Sequence, residues 1–323
     1  MKRFKDILCV VAPGAGRKPS LEYAVTLAEN NQASLTVIDV AERVTPDIRM
    51  PEGGPISADL QVAIVRSHEQ ELDSLIEPYR QRLDLQAKVL IGTTPFLEII
   101  REVLRNGRDL VIKTAETYDW QDRLFGSDDM RLFRKCPCPV WLIKPQAPKS
   151  FRRILAAVDV NDLYPAAELT TRQALNRQIL EIAGSLAFAE FAELHVVHAW
   201  KLIGESAMRG AFMHTPEEKI IAYIDEVMQQ CQGRLDVLIR DLGHDALDYP
   251  KPQTHLVKGG AHKEIPALAK QIDADLIVMG TVGRTGLPGF IMGNTAEMIL
   301  NQIDCSVLAI KPPNFTTPVT LED

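Results

Sequence analysis

The chain has 323 residues, of which 46% are hydrophobic and 24% charged, and its formal net charge is −7. This composition is typical of a globular protein with about two domains. The net charge argues against a broad nucleic-acid-binding face, which needs clustered Lys and Arg, and leaves room only for a local basic patch, so we expect no direct nucleic-acid partner. The apolar runs reach only strand length and Met1–Asp6 resembles a secretion signal only superficially, so we expect no membrane contact and a cytoplasmic location.

Strands and helices alternate along the first half. The pattern predicts strands at 6–12, 34–40, 87–91, 109–114 and 140–144, with helices at 21–30, 58–83, 96–106 and 128–135. A short polar linker at 145–150 follows. Because it is short, we expect the two domains to pack against each other.

The second half repeats this alternation. Strands are predicted at 153–158, 193–199, 254–257, 276–279 and 307–311, and helices at 174–189, 216–241, 263–272 and 295–303. Strands separated by helices imply parallel pairing with right-handed crossovers. We therefore predict an α/β fold of two tandem open five-stranded parallel sheets, each with strand order 3-2-1-4-5 and helices on both faces. The predicted domains are 1–146 and 151–313, followed by a tail at 314–323.

An internal repeat supports two related domains. At a constant offset of 167, six residues of the first half recur in the second: Gly126, Cys138, Val140, Ile143, Lys144 and Pro145 match Gly293, Cys305, Val307, Ile310, Lys311 and Pro312. The offset is smaller for earlier elements, so the order of elements is kept and the second copy is longer. Matched Gly, Cys, Lys and Pro residues are not interchangeable apolar positions, which makes a chance alignment a poor explanation.

A glycine-rich segment after the fourth strand of the second half is the main candidate for a binding site. Gly280, Gly283 and Gly293 precede a predicted helix, and glycines let backbone N–H groups approach phosphate closely. In a sheet wound 3-2-1-4-5, the end of the first strand, at Asp159, faces the same crevice. An insertion at 161–169, with 201–215, is interpreted either as a lid over this crevice or as an ordinary packed loop.

These residues carry a resemblance to a known family. Strand–Asp159 followed by Gly280-x2-Gly283-x9-Gly293 resembles the nucleotide loop of the universal stress protein family. The closer similarity is to its tandem-domain E type, through segments 134–137, 139–141, 280–286, 293–297 and 317–323. The resemblance implies a five-stranded sheet per domain, a stress-induced cytoplasmic protein, pairing of domains through the last strand, and a role in surviving stress that includes DNA damage.

The resemblance also implies a cofactor, ATP or another adenine nucleotide, at residues of the second half that match the family pattern. The predicted binding residues are Asp159, Gly280, Gly283, Arg284, Gly293, Asn294 and Thr295. Asn294 departs from the pattern, which has Ser or Thr there, so a tight structural turn is the alternative. In the first half Ala12 replaces the acid and Lys113–Glu116 replaces the paired glycines, so we predict no nucleotide binding there.

Signals for catalysis or metal binding are weak. The P-loop pattern is absent, and His195 and His198 are three apart on a strand, which points them to opposite faces. Five cysteines with a lone Cys136-x-Cys138 pair favour reduced thiols without metal. We therefore predict no catalytic residues. The leading hypothesis is a stress-response protein whose second domain binds an adenine nucleotide or another small ligand. A ligand-free scaffold acting through protein contacts and a slow ATP hydrolase remain alternatives, and a homodimer is left open.

Overall fold

The structure is a computed structural model of the full chain. It describes residues 4–11, 18–44, 55–116, 125–210, 215–241, 251–281, 292–313 and 315–321. The chain divides into two compact units. The first unit comprises Met1–Lys149, Ser306–Ala309 and Phe315–Asp323, and the second comprises Ser150–Cys305 and Ile310–Asn314.

The first unit alternates strands and helices. Its elements are β1 (Asp6–Val10), α1 (Lys18–Asn31), β2 (Ser34–Glu42), α2 (Pro55–Ile76), β3 (Leu85–Gly92), α3 (Pro95–Asn106), β4 (Leu110–Thr114), α4 (Ser127–Lys135) and β5 (Val140–Ile143). The strand order β3-β2-β1-β4-β5, with all pairs parallel, confirms the predicted order 3-2-1-4-5.

Burial explains why these residues form the centre of a sheet. Four consecutive residues of β1 and four of β4 are buried, although successive side chains of a strand point to opposite faces. Both faces of the sheet are therefore covered, as in other parallel sheets whose strands are connected by helices. The helix α3 begins with Pro95 and ends at Asn106, and Gly107 follows it with a φ of +65° that favours glycine.

The second unit contains β6 (Arg153–Ala157), α5 (Ala166–Glu190), β7 (Glu193–Trp200), α6 (Glu205–Arg209), α7 (Glu217–Asp241), β8 (Gln253–Lys258), α8 (Ala261–Gln271), β9 (Leu276–Gly280) and α9 (Asn294–Leu300). Its strands lie in the order β9-β6-β7-β8 and pair in parallel. Since β6, β7, β8 and β9 are the first to fourth strands of this half, the observed order is the predicted 3-2-1-4. None of the helices in the described part of the chain has the length and apolar composition that crossing a bilayer needs.

The strand count differs from the prediction. The last strand, β10 (Ser306–Ile310), was expected to complete the second sheet, but its first four residues belong to the first unit. Residues Val307–Ala309 pair with Val140–Leu142 in antiparallel register. Among the described residues the first unit thus contains five parallel strands and one antiparallel strand, and the second contains four.

The helix α5 also begins earlier than expected. It starts at Ala166, not near 174, because Pro165 sits at the position before the helix and Ala166 and Glu168 suit its first turn. Part of the predicted insertion 161–169 is therefore helical. The loop between β6 and α5 is shorter than the sequence suggested.

Candidate functional site

A cleft of about 1250 Å³ opens in the second unit. Its lining includes residues at the carboxyl ends of three parallel strands: Val158 and Asp159 after β6, Ala199 near the end of β7, and Gly280 at the end of β9. Side chains from α5 and α7 and the starts of α8 and α9 complete the walls. Open α/β sheets bind their ligands at such an edge.

The structure brings five of the seven predicted site residues together. All five line this cleft: Asp159, Gly280, Gly293, Asn294 and Thr295. The other two, Gly283 and Arg284, lie outside the described residues. The acid after the first strand and the residues around the start of α9 therefore share one cavity.

The carboxylate of Asp159 is held in place by neighbouring side chains. The Tyr164 hydroxyl donates to Oδ2 at 2.8 Å, and Nη1 of Arg172 lies 3.2 Å from the same oxygen. The Arg172 guanidinium also stacks on the Tyr164 ring, 3.5 Å from its centroid. Because the Asp159 side chain is 40% exposed, it remains accessible from the cleft.

The cluster changes the acidity of Tyr164. Burial raises the pKa of Tyr164 to about 12, and the adjacent negative charge of Asp159 adds to the rise. The phenol is therefore protonated at neutral pH and can serve as the hydrogen-bond donor to Asp159. The backbone of Asp159 is fixed as well, because its N–H donates to Asn176 Oδ1 at 3.0 Å and its C=O accepts from Asn176 Nδ2 at 2.7 Å.

The two described glycines have different structural roles. A Cβ added to Gly280 would lie 2.7 Å from Cδ2 of Leu175, so glycine allows α5 to pack closely over the end of β9. The Gly293 N–H donates to the carbonyl of Thr281 at 2.9 Å and is therefore used within the protein. The helix α9 has only seven residues, so its dipole is small. The exposed side chains of Asn294 and Thr295 are the polar groups that remain available in its first turn.

Sequence reasoning missed the contribution of α7. Residues Tyr223, Val227, Cys231 and Arg234 line the cleft at helical spacing, one face of a helix that the sequence had predicted without assigning it to the site. Arg234 forms an ion pair with Asp162 in the β6–α5 loop, with Nη2 and Oδ2 2.5 Å apart. In the sequence, the only indication of this lining face was the i, i+4, i+8, i+11 spacing of these four residues, which places them on one side of a helix.

The loop residues proposed as a lid also reach the cleft. Asn161, Leu163 and Tyr164 line it from one loop and Lys201 and Ile203 from another. Leu163 and Ile203 are each 69% exposed, so both lie at the mouth. Phe212, which we expected there too, lies outside the described residues.

The two histidines of β7 have separate surroundings. His195 is buried, and its Nδ1 lies 2.9 Å from Nε2 of His255 on β8. His198 lines the cleft, and its Nδ1 lies 3.3 Å from the Val158 carbonyl oxygen. Among the described residues, no group of three or more His, Cys, Asp or Glu side chains is arranged to hold a metal ion.

The matching edge of the first unit contains a cluster of ionised side chains. Nζ of Lys113 lies 2.7 Å from Asp129 Oδ1 and 3.1 Å from Glu116 Oε1, and Asp129 Oδ2 accepts the Glu116 backbone N–H at 2.8 Å. Burial opposes the charge of Lys113, but the two carboxylates overcome this and raise its pKa. Burial raises the pKa of Glu116, and the nearby Lys113 ammonium only partly opposes that rise. Asp129, fully buried and closest to Nζ, is the principal partner.

Comparison with known proteins identifies the class of this protein. The family model described as "Universal stress protein family" matches residues 3–144 and 150–311, which together span most of the chain. The chain therefore belongs to the universal stress protein family and carries two tandem domains of it. This confirms the family resemblance drawn from the glycine spacing and the repeat.

The chain is similar over its whole length to tandem members of that family. It is 30% identical over 333 aligned positions to universal stress protein E of Escherichia coli (strain K12), an alignment that covers 100% of this chain and 99% of that protein. It is 29% identical to the universal stress protein E homolog of Haemophilus influenzae, with 96% and 98% covered. A crystal structure of a putative universal stress protein from Pseudomonas aeruginosa UCBPP-PA14 aligns with a TM-score of 0.69 at 25% identity, covering 96% of this chain and 94% of that one.

Proposed function

We propose that this universal stress protein binds ATP or a related adenine nucleotide in the cleft of its second unit and acts as a binding protein in the stress response. The observation that supports this most directly is that Asp159, Gly280, Gly293, Asn294 and Thr295 line one cavity. Asp159, Gly280 and Gly293 match the family pattern, whereas Asn294 stands where that pattern has Ser or Thr. Their convergence on the carboxyl edge of a parallel sheet is what such a site requires.

The chemistry of the lining suits a nucleotide. The Asp159 carboxylate accepts hydrogen bonds and is suited to a ribose hydroxyl or an adenine amine. The amide of Asn294 and the hydroxyl of Thr295 are donors suited to phosphate oxygens, and Lys201 adds an ammonium group to the lining. A cavity of about 1250 Å³ is somewhat larger than the roughly 300–1,000 Å³ of typical small-molecule sites, so a nucleotide has room in it.

A binding role fits the residues better than an enzymatic one. The sequence lacks the P-loop that holds and activates a terminal phosphate. Glu297 is the acid in the first turn of α9, and in the described part of the chain no group of three or more His, Cys, Asp or Glu side chains is arranged to hold a metal ion beside it. The cytoplasmic location and the role in surviving DNA damage, both implied by the resemblance, stay predictions.

The test is an ATP titration of the full chain by calorimetry, preceded by native mass spectrometry of the freshly purified protein. We expect a co-purified adenylate or saturable ATP binding. An Asn294→Asp variant should bind ATP roughly tenfold more weakly, because it places a like charge beside the phosphates. Asn301→Asp, at the other end of α9, is the matched control and should bind ATP like the wild type.

Three results would change the conclusion. Turnover of added ATP would indicate a hydrolase. A mass without ligand and no heat of binding at millimolar ATP would indicate a scaffold. Equal ATP affinity in the Asn294→Asp and Asn301→Asp variants would place the phosphates elsewhere.

A further inference from the structure

Two thiols of the first unit lie in contact with each other. Sγ of Cys136 is 3.6 Å from Sγ of Cys138. Cys136 follows the last residue of α4 and Cys138 stands two residues before β5, so both belong to the short connection between these elements. None of the five cysteines of the chain, all of which the structure describes, forms a disulfide. The structure therefore contains a buried dithiol in its reduced state.

The internal repeat shows that the fold does not require two thiols in this connection. At the offset of 167, Cys138 corresponds to Cys305, whereas Cys136 corresponds to Ile303. Cys138 and Cys305 are each 8% exposed, and Cys136 and Ile303 are 0% and 2% exposed. An aliphatic side chain therefore fills in the second unit the position that a thiol fills in the first. Packing alone does not account for the pair.

The distance between the two sulfur atoms suits formation of a disulfide. A disulfide bond is about 2.05 Å long, so the two atoms need to approach by about 1.5 Å within a connection outside helix and strand. The bond closes a loop of three residues, and the chain-entropy stabilisation from a disulfide is smallest for short loops. A disulfide here is therefore better suited to reversible formation than to permanent stabilisation of the fold.

We propose that Cys136 and Cys138 form a reversible disulfide when the protein is exposed to hydrogen peroxide. Cys138 is the attacking residue, because it is slightly exposed whereas Cys136 is completely buried. The Cys138 thiolate attacks one peroxide oxygen, the O–O bond breaks, and a sulfenic acid and, after proton uptake, one water result. The Cys136 thiol then attacks the sulfenic sulfur, which forms the S–S bond and releases a second water. Two thiols lose two electrons in total, and one peroxide is reduced to two waters.

The surroundings of Cys138 make this reaction slow at neutral pH. The contact with Cys136, burial and the negative charge of Asp109 raise the pKa of the Cys138 thiol. The thiolate is the nucleophile, and its fraction grows about tenfold per pH unit below the pKa, so disulfide formation should be about tenfold faster at pH 8 than at pH 7. The dithiol therefore responds to sustained oxidation and stays reduced under brief exposure. This reaction does not depend on nucleotide binding in the second unit.

The test is peroxide treatment of the reduced full chain, followed by alkylation of the remaining thiols in denaturant and mass spectrometry. The peptide that contains Cys136 and Cys138 should lose two hydrogen atoms, escape alkylation, and recover both thiols with dithiothreitol. Cys305 is the internal control, because it is equally buried at the matching position but has Ile303 in place of a second thiol. It should form no disulfide within the chain.

Three variants assign the roles of the two thiols. Cys138→Ser should leave Cys136 reduced, because the attacking thiol is gone. Cys136→Ser should form no disulfide and should accumulate sulfenic or sulfinic acid on Cys138. Cys305→Ser is the matched control and should form the disulfide at the rate of the wild type. Thermal unfolding shows whether each variant is folded.

The wild-type measurement alone can overturn the proposal. If both thiols are still alkylated in full after prolonged peroxide treatment at pH 8, the protein shields the pair and the proposal is wrong. Disulfides that join two chains, or oxidation of Cys305 as fast as that of Cys138, would also contradict it. Because these outcomes are measured on the unmodified sequence, a variant that does not fold leaves the test intact.

Discussion

The two units differ most at one shared position of the repeat, the edge where the fourth strand meets the next helix. In the first unit Lys113 and Asp129 form a buried ion pair there. In the second unit the repeat offsets place Met279 and Ala296 at the same positions, and a cleft lies beside them. One edge is filled by charged side chains of the chain itself, and the other opens into a cavity.

This difference explains why only one copy is proposed to bind a nucleotide. In the first unit the Asp129 carboxylate accepts from an ammonium at 2.7 Å and from a backbone N–H at 2.8 Å. These are the kinds of donor that would otherwise bind a phosphate oxygen. An internal carboxylate already uses them, and Asp128 beside it would repel a second anion. The edge after the fourth strand is therefore closed by an ion pair in the first unit and lies beside a cavity in the second.

The largest expected effect comes from breaking the internal ion pair. Lys113→Met leaves Asp129 buried without its cation, so it should lower the free energy of unfolding by about 3–5 kcal/mol. Urea denaturation of the full chain followed by far-ultraviolet circular dichroism measures the loss.

Two further variants serve as a control and a compensation test for the Lys113→Met result. Lys258→Met removes an exposed partner of Glu205 and should cost less than about 1 kcal/mol. Adding Asp129→Ala to Lys113→Met should recover part of the loss, because the uncompensated carboxylate is gone. A loss below about 1 kcal/mol for Lys113→Met would mean that the buried pair contributes little, and the contrast between the two units would lose its energetic basis.

A smaller effect, on ATP affinity, is expected when an acid of the first unit is introduced at the matching position of the second. Thr295 occupies the repeat position of Asp128, and Thr295→Asp places the acid of the first unit in the first turn of α9. An acid there suits the helix, so the protein should fold normally while its ATP affinity falls about tenfold. Adenosine affinity should stay the same, because the nucleoside end does not meet the new charge.

Calorimetric titrations of wild type and Thr295→Asp with both ligands measure this. Thr295→Val, which removes the hydroxyl without adding charge, separates electrostatic repulsion from loss of a hydrogen bond. An unchanged ATP affinity in Thr295→Asp would show that the phosphates do not approach α9.

The smallest expected effect is a change in the free energy of unfolding with pH. The pKa of His198 in the folded protein is lowered by burial below the ordinary value of 6.5. As pH falls through 6.5 the unfolded chain takes up a proton that the folded chain does not, so stability is full above this pH and is lost below it. Between pH 7.5 and 5.5 the loss from this residue is at most about 1.4 kcal/mol. His198→Gln should therefore show a smaller decrease in unfolding free energy over this range than the wild type, and an equal decrease would be inconsistent with the neutral ring.

Much of the fold could be predicted because the repeat and the strand–helix alternation are strong local signals. The strand orders and the meeting of Asp159 with Gly280 and Gly293 at one cleft followed from winding rules. The start of α5 was missed because Pro165 was interpreted as part of a loop, although proline commonly precedes a helix. The details around Asp159 depend on side-chain packing, which no periodicity encodes.

The contributions of His198 and α7 to the site were harder to foresee. Neither belongs to the glycine pattern, and their approach to Asp159 depends on contacts between elements distant in sequence. The antiparallel pairing of β10 with β5 is the pairing through the last strand that the family resemblance implied.

The antiparallel pairing of Val307–Ala309 with Val140–Leu142 has a consequence for biosynthesis. A ribosome releases residues 1–149 long before it makes the strand that pairs with β5. Until β10 has been made, β5 presents the unpaired amide and carbonyl groups of a sheet edge. Such edges favour association with other chains, so the nascent first unit is the stage at which this protein is most exposed to aggregation.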